Sequence, residues 1–282
     1  MARLLALAPH RSVTAGLLAE AARGRGMGVS VIPVGGGAFP SGTRAHYYGG
    51  PRFADSVAAD LGVALLEPES CWLDALPYAF TGRRVRCVPL AEARCMTGPF
   101  FAKPPTDKSF PAGVYEHGRA LPMPAGPEDA ADPLVQISEV VTWVREFRLH
   151  LLDGEIWTGS QYATYGRLDA VPLAGHADEQ AVRAFVRDLI GACAHTLPSG
   201  VVVDVGLTRG DGGPEAGRWA VVEANMAWFS NVYAGDPARA LDVVLRAAGP
   251  ADEAAEPDGR FCRTRRGDPA TFGAAAATKR CP

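Results

Sequence analysis

Val201-Val202-Val203-Asp204-Val205-Gly206 is followed, across a glycine-rich loop, by Trp219-Ala220-Val221-Val222-Glu223-Ala224-Asn225. Two β-branched runs with turn-forming residues between them read as paired strands. Side chains alternate along a strand, so Glu223 and Asn225 share one face, and antiparallel pairing brings Asp204 beside them. Two carboxylates and an amide make a set of hard oxygen donors, of the kind Mg²⁺ takes when it also holds substrate phosphates. Acids and amides also mark plain strand ends, and it is the remainder of the chain that separates the two readings.

The 282 residues suffice for two domains or one large one with a substantial core. A hydrophobic share of 48% and a charged share of 21% are ordinary for a globular protein. The net charge of −3 gives no sign of a nucleic-acid or membrane-binding surface. The apolar start is interrupted by His10 and Arg11, too early for a secretory signal, and no later run approaches the length of a membrane span. A cytoplasmic setting is therefore expected. The six cysteines (Cys71, Cys87, Cys95, Cys193, Cys262 and Cys281) form no C-x-x-C pair and no zinc-like grouping with histidine. They read as small buried residues or incidental thiols in a reducing compartment.

Along the chain, Ala2 to Ala8 is a candidate strand, and Ser12 or Thr14 caps a helix that runs to about Arg23. Val29 to Val34 is a second strand, which gives a β-α-β opening and an α/β front unit. Gly37 to Thr43 has the glycine spacing of a phosphate loop but not its lysine, so an ordinary loop after the strand is favoured. Phe53 to Leu61 reads as a helix and Phe100 to Lys103 as a short strand that delivers one lysine. Leu134 to Val144 is apolar and β-branched. Arg145 to Leu152 then alternates, with Glu146, Arg148 and His150 on one face and Phe147, Leu149 and Leu151 on the other. Asp153-Gly154 signals a hairpin into Glu155-Ile156-Trp157. Asp178 to His195 is an amphipathic helix, and Pro237 to Ala248 is another. From Ala251 to Pro282 large apolar residues are few, and a mostly disordered tail is expected. The expected division is residues 1–75 for the front unit, 76–250 for the main domain and 251–282 for the tail.

The order of these features resembles the ATP-grasp superfamily, and within it the bacterial and phage clade named for two arginines and a lysine. The resemblance rests on the Trp72 to Arg84 region, Phe101-Ala102-Lys103-Pro104 with Lys108-Ser109-Phe110, the acid closing Ile137-Ser138-Glu139, and Glu146-Phe147-Arg148. It is completed by Val203-Asp204-Val205 and by Glu223-Ala224-Asn225 through Trp228, Ser230, Tyr233 and Asp236. It covers about residues 70–240 and implies an ATP-grasp fold, α/β in class, that binds ATP and Mg²⁺. By that resemblance Lys103 and Lys108 serve the phosphates, and Glu139 closes the adenine hinge with the backbone around Val140 and Val141. Glu146 takes the ribose hydroxyls, Asp204, Glu223 and Asn225 hold Mg²⁺, and Arg148 neutralises the transferring phosphoryl group. Arg84 is the candidate for the other clade arginine, with Arg83 or Arg86 as alternatives.

The implied activity is a ligase that activates a carboxylate as an acylphosphate for attack by an amine or similar nucleophile. A nucleotide-binding scaffold and a phosphotransferase to another acceptor are the competing readings. Two departures stand out. Val202 occupies the position where many ATP-grasp ligases carry an arginine, so the cationic work falls to Arg148, Arg84 or Arg209. Pro104-Pro105-Thr106-Asp107-Lys108 stands where a glycine-rich lid is usual. The substrate itself is not readable. The front unit and the loops after Tyr162 and around Tyr233 are expected to shape its pocket, and their residue types suit a small molecule such as an amino acid, a peptide or modified nucleic acid alike. An aromatic cluster of Trp228, Phe229 and Tyr233 is a candidate for either its pocket or the core. Nothing in the sequence speaks to oligomeric state.

Overall fold

The computed structural model describes residues 3–34, 43–105, 110–122, 133–210 and 217–263. Strand β1 (Arg3–Leu7) lies between β2 (Gly28–Val31) and β3 (Arg44–Tyr48), parallel to both. Helix α1 (Val13–Gly24) begins where the Ser12 hydroxyl accepts the Ala15 N–H at 3.1 Å, and it buries Ala15, Leu18, Ala19 and Ala22. Most of the phosphate-loop candidate at Gly37 to Thr43 lies outside the described residues. Strand β3 was not expected, because Arg44 and His46 break its apolar pattern. The fold buries His46 and satisfies its Nδ1 at 3.0 Å from the Leu245 carbonyl. Helix α2 (Pro51–Leu61) has proline in its first turn and ends at Gly62, whose φ of +64° is a left-handed cap. Strand β4 (Val63–Leu65) then pairs antiparallel with β14 (Ala248–Pro250), near the other end of the described chain.

Single-turn helices α3 (Trp72–Ala75) and α4 (Tyr78–Thr81) lead into an antiparallel sheet. Its order is β5 (Val85–Pro89), β8 (Leu134–Ser138), β6 (Phe100–Lys103), β7 (Gly113–Tyr115). Short helix α5 (Leu90–Ala93) packs on it through Leu90 and Ala93, against Phe100, Val135 and Ile137. The apolar run from Leu134 to Val144 does not continue as one strand. It breaks at residues 139–142 before the next sheet begins.

That sheet has the order β11 (Arg167–Pro172), β10 (Glu155–Thr164), β9 (Trp143–Leu152), β12 (Gly200–Thr208), β13 (Trp219–Asn225), antiparallel throughout. One face packs helix α6 (Glu179–Cys193) through Phe147, Leu149, Leu151, Val201, Val203 and Val205. Helix α7 (Pro237–Ala247), capped by Asp236 on the Ala238 and Arg239 N–H groups, lies against the opposite side and joins it to the front sheet. One core cluster accordingly contains Tyr47, Val57, Leu65, Val202, Trp228 and Val243.

Two sequence expectations change. The sulfurs of Cys71 and Cys87 are bonded, with their Cα atoms 5.9 Å apart, so these two are neither small core residues nor incidental thiols. Their spacing carries no signal. They meet because Asp74 Oδ2 accepts the Cys87 N–H at 3.1 Å and docks α3 on β5. The first part of the expected tail, to Arg263, is folded into two 3₁₀ segments. Phe261 enters the core, Asp258 takes the Ser199 N–H at 2.8 Å, and Arg263 reaches Asp55 at 2.7 Å and Glu67 at 2.8 Å. Polar contacts do most of this work, which is why composition did not disclose it. Residues 264–282 lie outside the described residues. Among the described residues no helix is long and apolar enough to cross a membrane.

Trp228 is fully buried, packs on Tyr47 with ring centroids 6.1 Å apart, and donates its indole N–H to the Leu66 carbonyl at 2.8 Å. It is a core residue, whereas Phe229 is 42% exposed. Trp228→Phe strips the Leu66 carbonyl of this donor and leaves a void. Urea denaturation should report a loss of about 2–4 kcal/mol.

Candidate active site

The pairing of β12 with β13 sets Asp204 directly opposite Glu223 and Val202 opposite Asn225. Between Asp204 and Val205 the register shifts by one, since Val205 pairs with Val221. The extra residue is Val222, a β-bulge. In a regular strand Val221 and Glu223 would share a face. The bulge lets Val221 join the core under α6 while Glu223 faces the other way, beside Asp204. Arg83 holds this bulge. Its buried guanidinium donates to the carbonyls of Val221 at 2.8 Å, Val222 at 3.3 Å and Thr81 at 2.9 Å, and it lies over the Trp143 ring. Burial lowers its pKa to about 10, still well charged at neutral pH.

Strand β9 supplies Glu146 and Arg148 on the face that Asp204 occupies, as the alternation predicts. Arg148 grips the fully buried Asp204 with two hydrogen bonds, Nε to Oδ1 at 2.9 Å and Nη2 to Oδ2 at 2.6 Å. Such a fork is the strong form of an ion pair. Burial works against the arginine's charge, but Asp204 outweighs it and holds Arg148 protonated, above its ordinary range. The Asp204 carboxyl is pushed up by burial, with Arg148 opposing. Glu223 feels burial as well, yet Lys103, Asn225 and Arg148 together hold it below the usual carboxylate range. Lys103 Nζ lies 2.5 Å from Glu223 Oε2, and Asn225 donates to Glu223 Oε1 at 2.9 Å. Glu146 accepts the Tyr162 hydroxyl at 2.9 Å, and burial raises its pKa.

The structure thus gathers Lys103, Glu146, Arg148, Asp204, Glu223 and Asn225. Lys103 comes from the four-stranded sheet and Glu223 from the five-stranded one, so their ion pair bridges the two. The cleft beside it, lined by Lys103, Gln136, Trp72, Ala224 and Met226, holds about 80 Å³. Glu139 and Val141 lie in the link between β8 and β9. Arg84 stands apart from the cluster: its side chain is 84% exposed, and its contacts are with Glu139, whose Oε2 accepts the Arg84 N–H at 2.9 Å. Lys108 lies outside the described residues. Among the described residues no three His, Cys, Asp or Glu side chains gather for a metal. The donor set of two carboxylates and one amide oxygen fits a hard cation that completes its shell with water and phosphate. Sequence reasoning missed Tyr162 and the bulge clamp of Arg83. No local pattern marked the first, which sits where β10 shifts register between Gln161 and Ala163, and nothing local marked the second beyond its place beside Arg84.

The model of an ATP-grasp domain, family 2 of the clade named for two arginines and a lysine, matches residues 80–243, more than half of the chain. The chain belongs to this family. Its fold is that of ATP-grasp proteins, as seen in the crystal structure of a RimK domain protein ATP-grasp from Sphaerobacter thermophilus. That structure aligns at a TM-score of 0.52 and 18% identity over 86% of this chain and 100% of the other. D-alanine–D-alanine ligase from Bacillus anthracis aligns at 0.48 and 12% identity, over 88% of this chain and 97% of the other. The ATP-grasp ligase PsnB, complexed with precursor peptide PsnA2 and AMPPNP, aligns at 0.43 and 12% identity, over 86% and 96%. Comparison with curated proteins gave no match.

Two outcomes follow from this geometry. His150 shares the face of Arg148, is 1% exposed, and its Nε2 has no partner among the described residues. Burial, with Arg148 adding to it, lowers its pKa from 6.5 to about 3. Between those values the unfolded chain binds the extra proton, so this contribution to stability is full above pH 6.5 and is lost as pH falls toward 3. His150→Leu should flatten the acid limb of stability against pH, measured by denaturant unfolding from about pH 4 to 7. Arg83→Met removes a charged donor from the bulge carbonyls and should cost about 2–4 kcal/mol by the same measurement.

Proposed function

We propose that this ATP-grasp protein is an ATP- and Mg²⁺-dependent ligase that activates a carboxylate as an acylphosphate for capture by an amine or similar nucleophile. The observation that carries the reading is the pairing of Arg148 with buried Asp204 next to Lys103 and Glu223. Two cations and two carboxylates meet where two sheets face each other, and no activated protein nucleophile stands among them. Such a site works by positioning charge rather than by covalent catalysis.

In this reading Lys103 exchanges Glu223 for the α- and β-phosphates. The cleft beside that bridge holds about 80 Å³, below the roughly 300–1,000 Å³ of a small-molecule site, and parting the bridge would widen it. Freed Glu223, with Asp204 and Asn225, would hold Mg²⁺, which neutralises phosphate charge. The backbone from Glu139 to Val141 meets the adenine edge, and Glu146 accepts the ribose hydroxyls. Lys108 remains a proposed phosphate contact on sequence alone. Arg148 keeps Asp204 and turns its remaining N–H groups to the transferring phosphoryl oxygens while the substrate carboxylate attacks. For the second clade arginine, burial and contacts favour Arg83, in a supporting role, over exposed Arg84. The front unit, to about residue 75, walls the acceptor side, where an amino acid or peptide would sit.

The test combines binding and turnover. Mg-ATP at about a hundred times its dissociation constant should stabilise the wild type by about 2.7 kcal/mol, and Glu223→Ala should abolish the shift. With carboxylate and hydroxylamine present, ADP and a hydroxamate should form together. ADP with a phosphorylated acceptor and no hydroxamate would replace ligation by phosphotransfer, and binding without turnover would leave a scaffold.

A further inference from the structure

Arg148 has a second set of neighbours that the proposed reaction does not explain. The rings of Tyr162 and Tyr233 are stacked at 13° with centroids 5.3 Å apart, and the Arg148 guanidinium carbon lies 5.5 Å from one centroid and 5.4 Å from the other. The three centres form a nearly equilateral triangle, so the cation is in contact with both rings at once. Asp204 consumes Nε and one N–H of Nη2, and Nη1 makes no hydrogen bond among the described residues. The carboxylate thus holds one edge of the guanidinium, and the aromatic pair borders it on another side.

The backbone that presents Tyr233 is held in an uncommon state. Its φ is +52°, a left-handed conformation that costs a residue with a side chain about 1–2 kcal/mol. Neighbouring groups over-determine it. The Val232 N–H donates to Thr14 Oγ1 of α1 at 3.2 Å, and the Ala234 N–H to Ser160 Oγ of β10 at 3.2 Å. The Asp236 N–H reaches Thr158 Oγ1 at 2.8 Å. A left-handed residue fixed from both sides and aimed at a buried cation is where strain serves a site. The two hydroxyls differ. That of Tyr162 is committed to Glu146, whereas that of Tyr233 makes no hydrogen bond among the described residues. What Tyr233 gives the cluster is its ring.

We infer that Tyr233, stacked on Tyr162, is a positioning residue that acts through Arg148, fixing the guanidinium so that Nη1 faces the transferring phosphoryl group. The inference rests on the proposed reaction for its catalytic consequence, though not for the contact itself. Attraction between the cation and the ring faces is enough to favour one orientation of a group already held at one edge.

The experiment compares full-length wild type with Tyr233→Phe and Tyr233→Asn. The first keeps the ring, and the second deletes it while tolerating the left-handed backbone. Tyr233→Leu, apolar but without a π face, is the second ring-deleting variant should the asparagine form not fold. Two readouts are taken: ADP formation with saturating Mg-ATP, and the Arg148 Nε–H resonance, assigned by its disappearance in Arg148→Lys. Tyr233→Phe should match wild type in both. The ring-deleting variants should lower kcat by about 10- to 100-fold, the scale of misplacing a catalytic group by about 1 Å, with little change in KM for ATP. The Nε–H resonance should shift in them alone. Equal loss in Tyr233→Phe would make the hydroxyl the active part and overturn the inference, as would ring-deleting variants with unchanged kcat and an unmoved resonance. A wild type that never turns over ATP would defeat the proposed function, while the resonance would still decide whether the ring holds Arg148.

Discussion

A carboxylate with no exposed surface keeps its charge only if a cation is built in beside it, and Asp204 has one in Arg148. Most of the site follows from that pair. Arg148 stands two residues from Glu146 on β9, so fixing one aims the other. Asp204 sits opposite Glu223, so the pair also determines which face of β13 must carry charge. The sheet accommodates this with the bulge at Val222, and the bulge in turn calls for Arg83 to satisfy its carbonyls. A single buried charge therefore propagates through register, bulge and clamp before any ligand arrives.

The bridge between Lys103 and Glu223 works in the other direction. It crosses between sheets rather than within one, and it joins groups that the proposed reaction uses separately. Opposite charges already in contact keep both side chains ordered, and in the proposed reaction an entering phosphate meets a cation that needs only to change partners. The exposed pair of Arg84 and Glu139 has no such consequence, because water screens it on most sides.

The sequence made legible what depends on local period. Alternation along Arg145 to Leu152 separated the charged face from the core face correctly. The two β-branched runs paired antiparallel and brought Asp204 beside Glu223, although the bulge that sets their register was not legible. The α6 helix emerged within a residue or two of its ends. What stayed hidden depends on partners distant in the chain. Strand β3 carries a histidine that only its tertiary neighbour Leu245 explains. The disulfide between Cys71 and Cys87 needs α3 to dock on β5. The stack of Tyr162 on Tyr233 joins two tyrosines far apart in the chain, whose types alone suit core, surface or site equally well. Arg83 and Arg84 are adjacent and chemically identical, and burial alone distinguishes them.

The seam between residues 47–67 and residues 228–263 has a consequence for how the protein is made. Strand β4 finds its partner in β14, Tyr47 packs on Trp228, and Asp55 and Glu67 receive Arg263, the last residue described. Synthesis runs from the first strand toward the last, and domains ordinarily fold as their residues emerge. Here the front sheet must wait for residues 228–263 before its core is closed and Asp55 and Glu67 meet their cation. The front sheet therefore cannot complete its core from its own residues, and its closure is tied to the segment from Trp228 to Arg263.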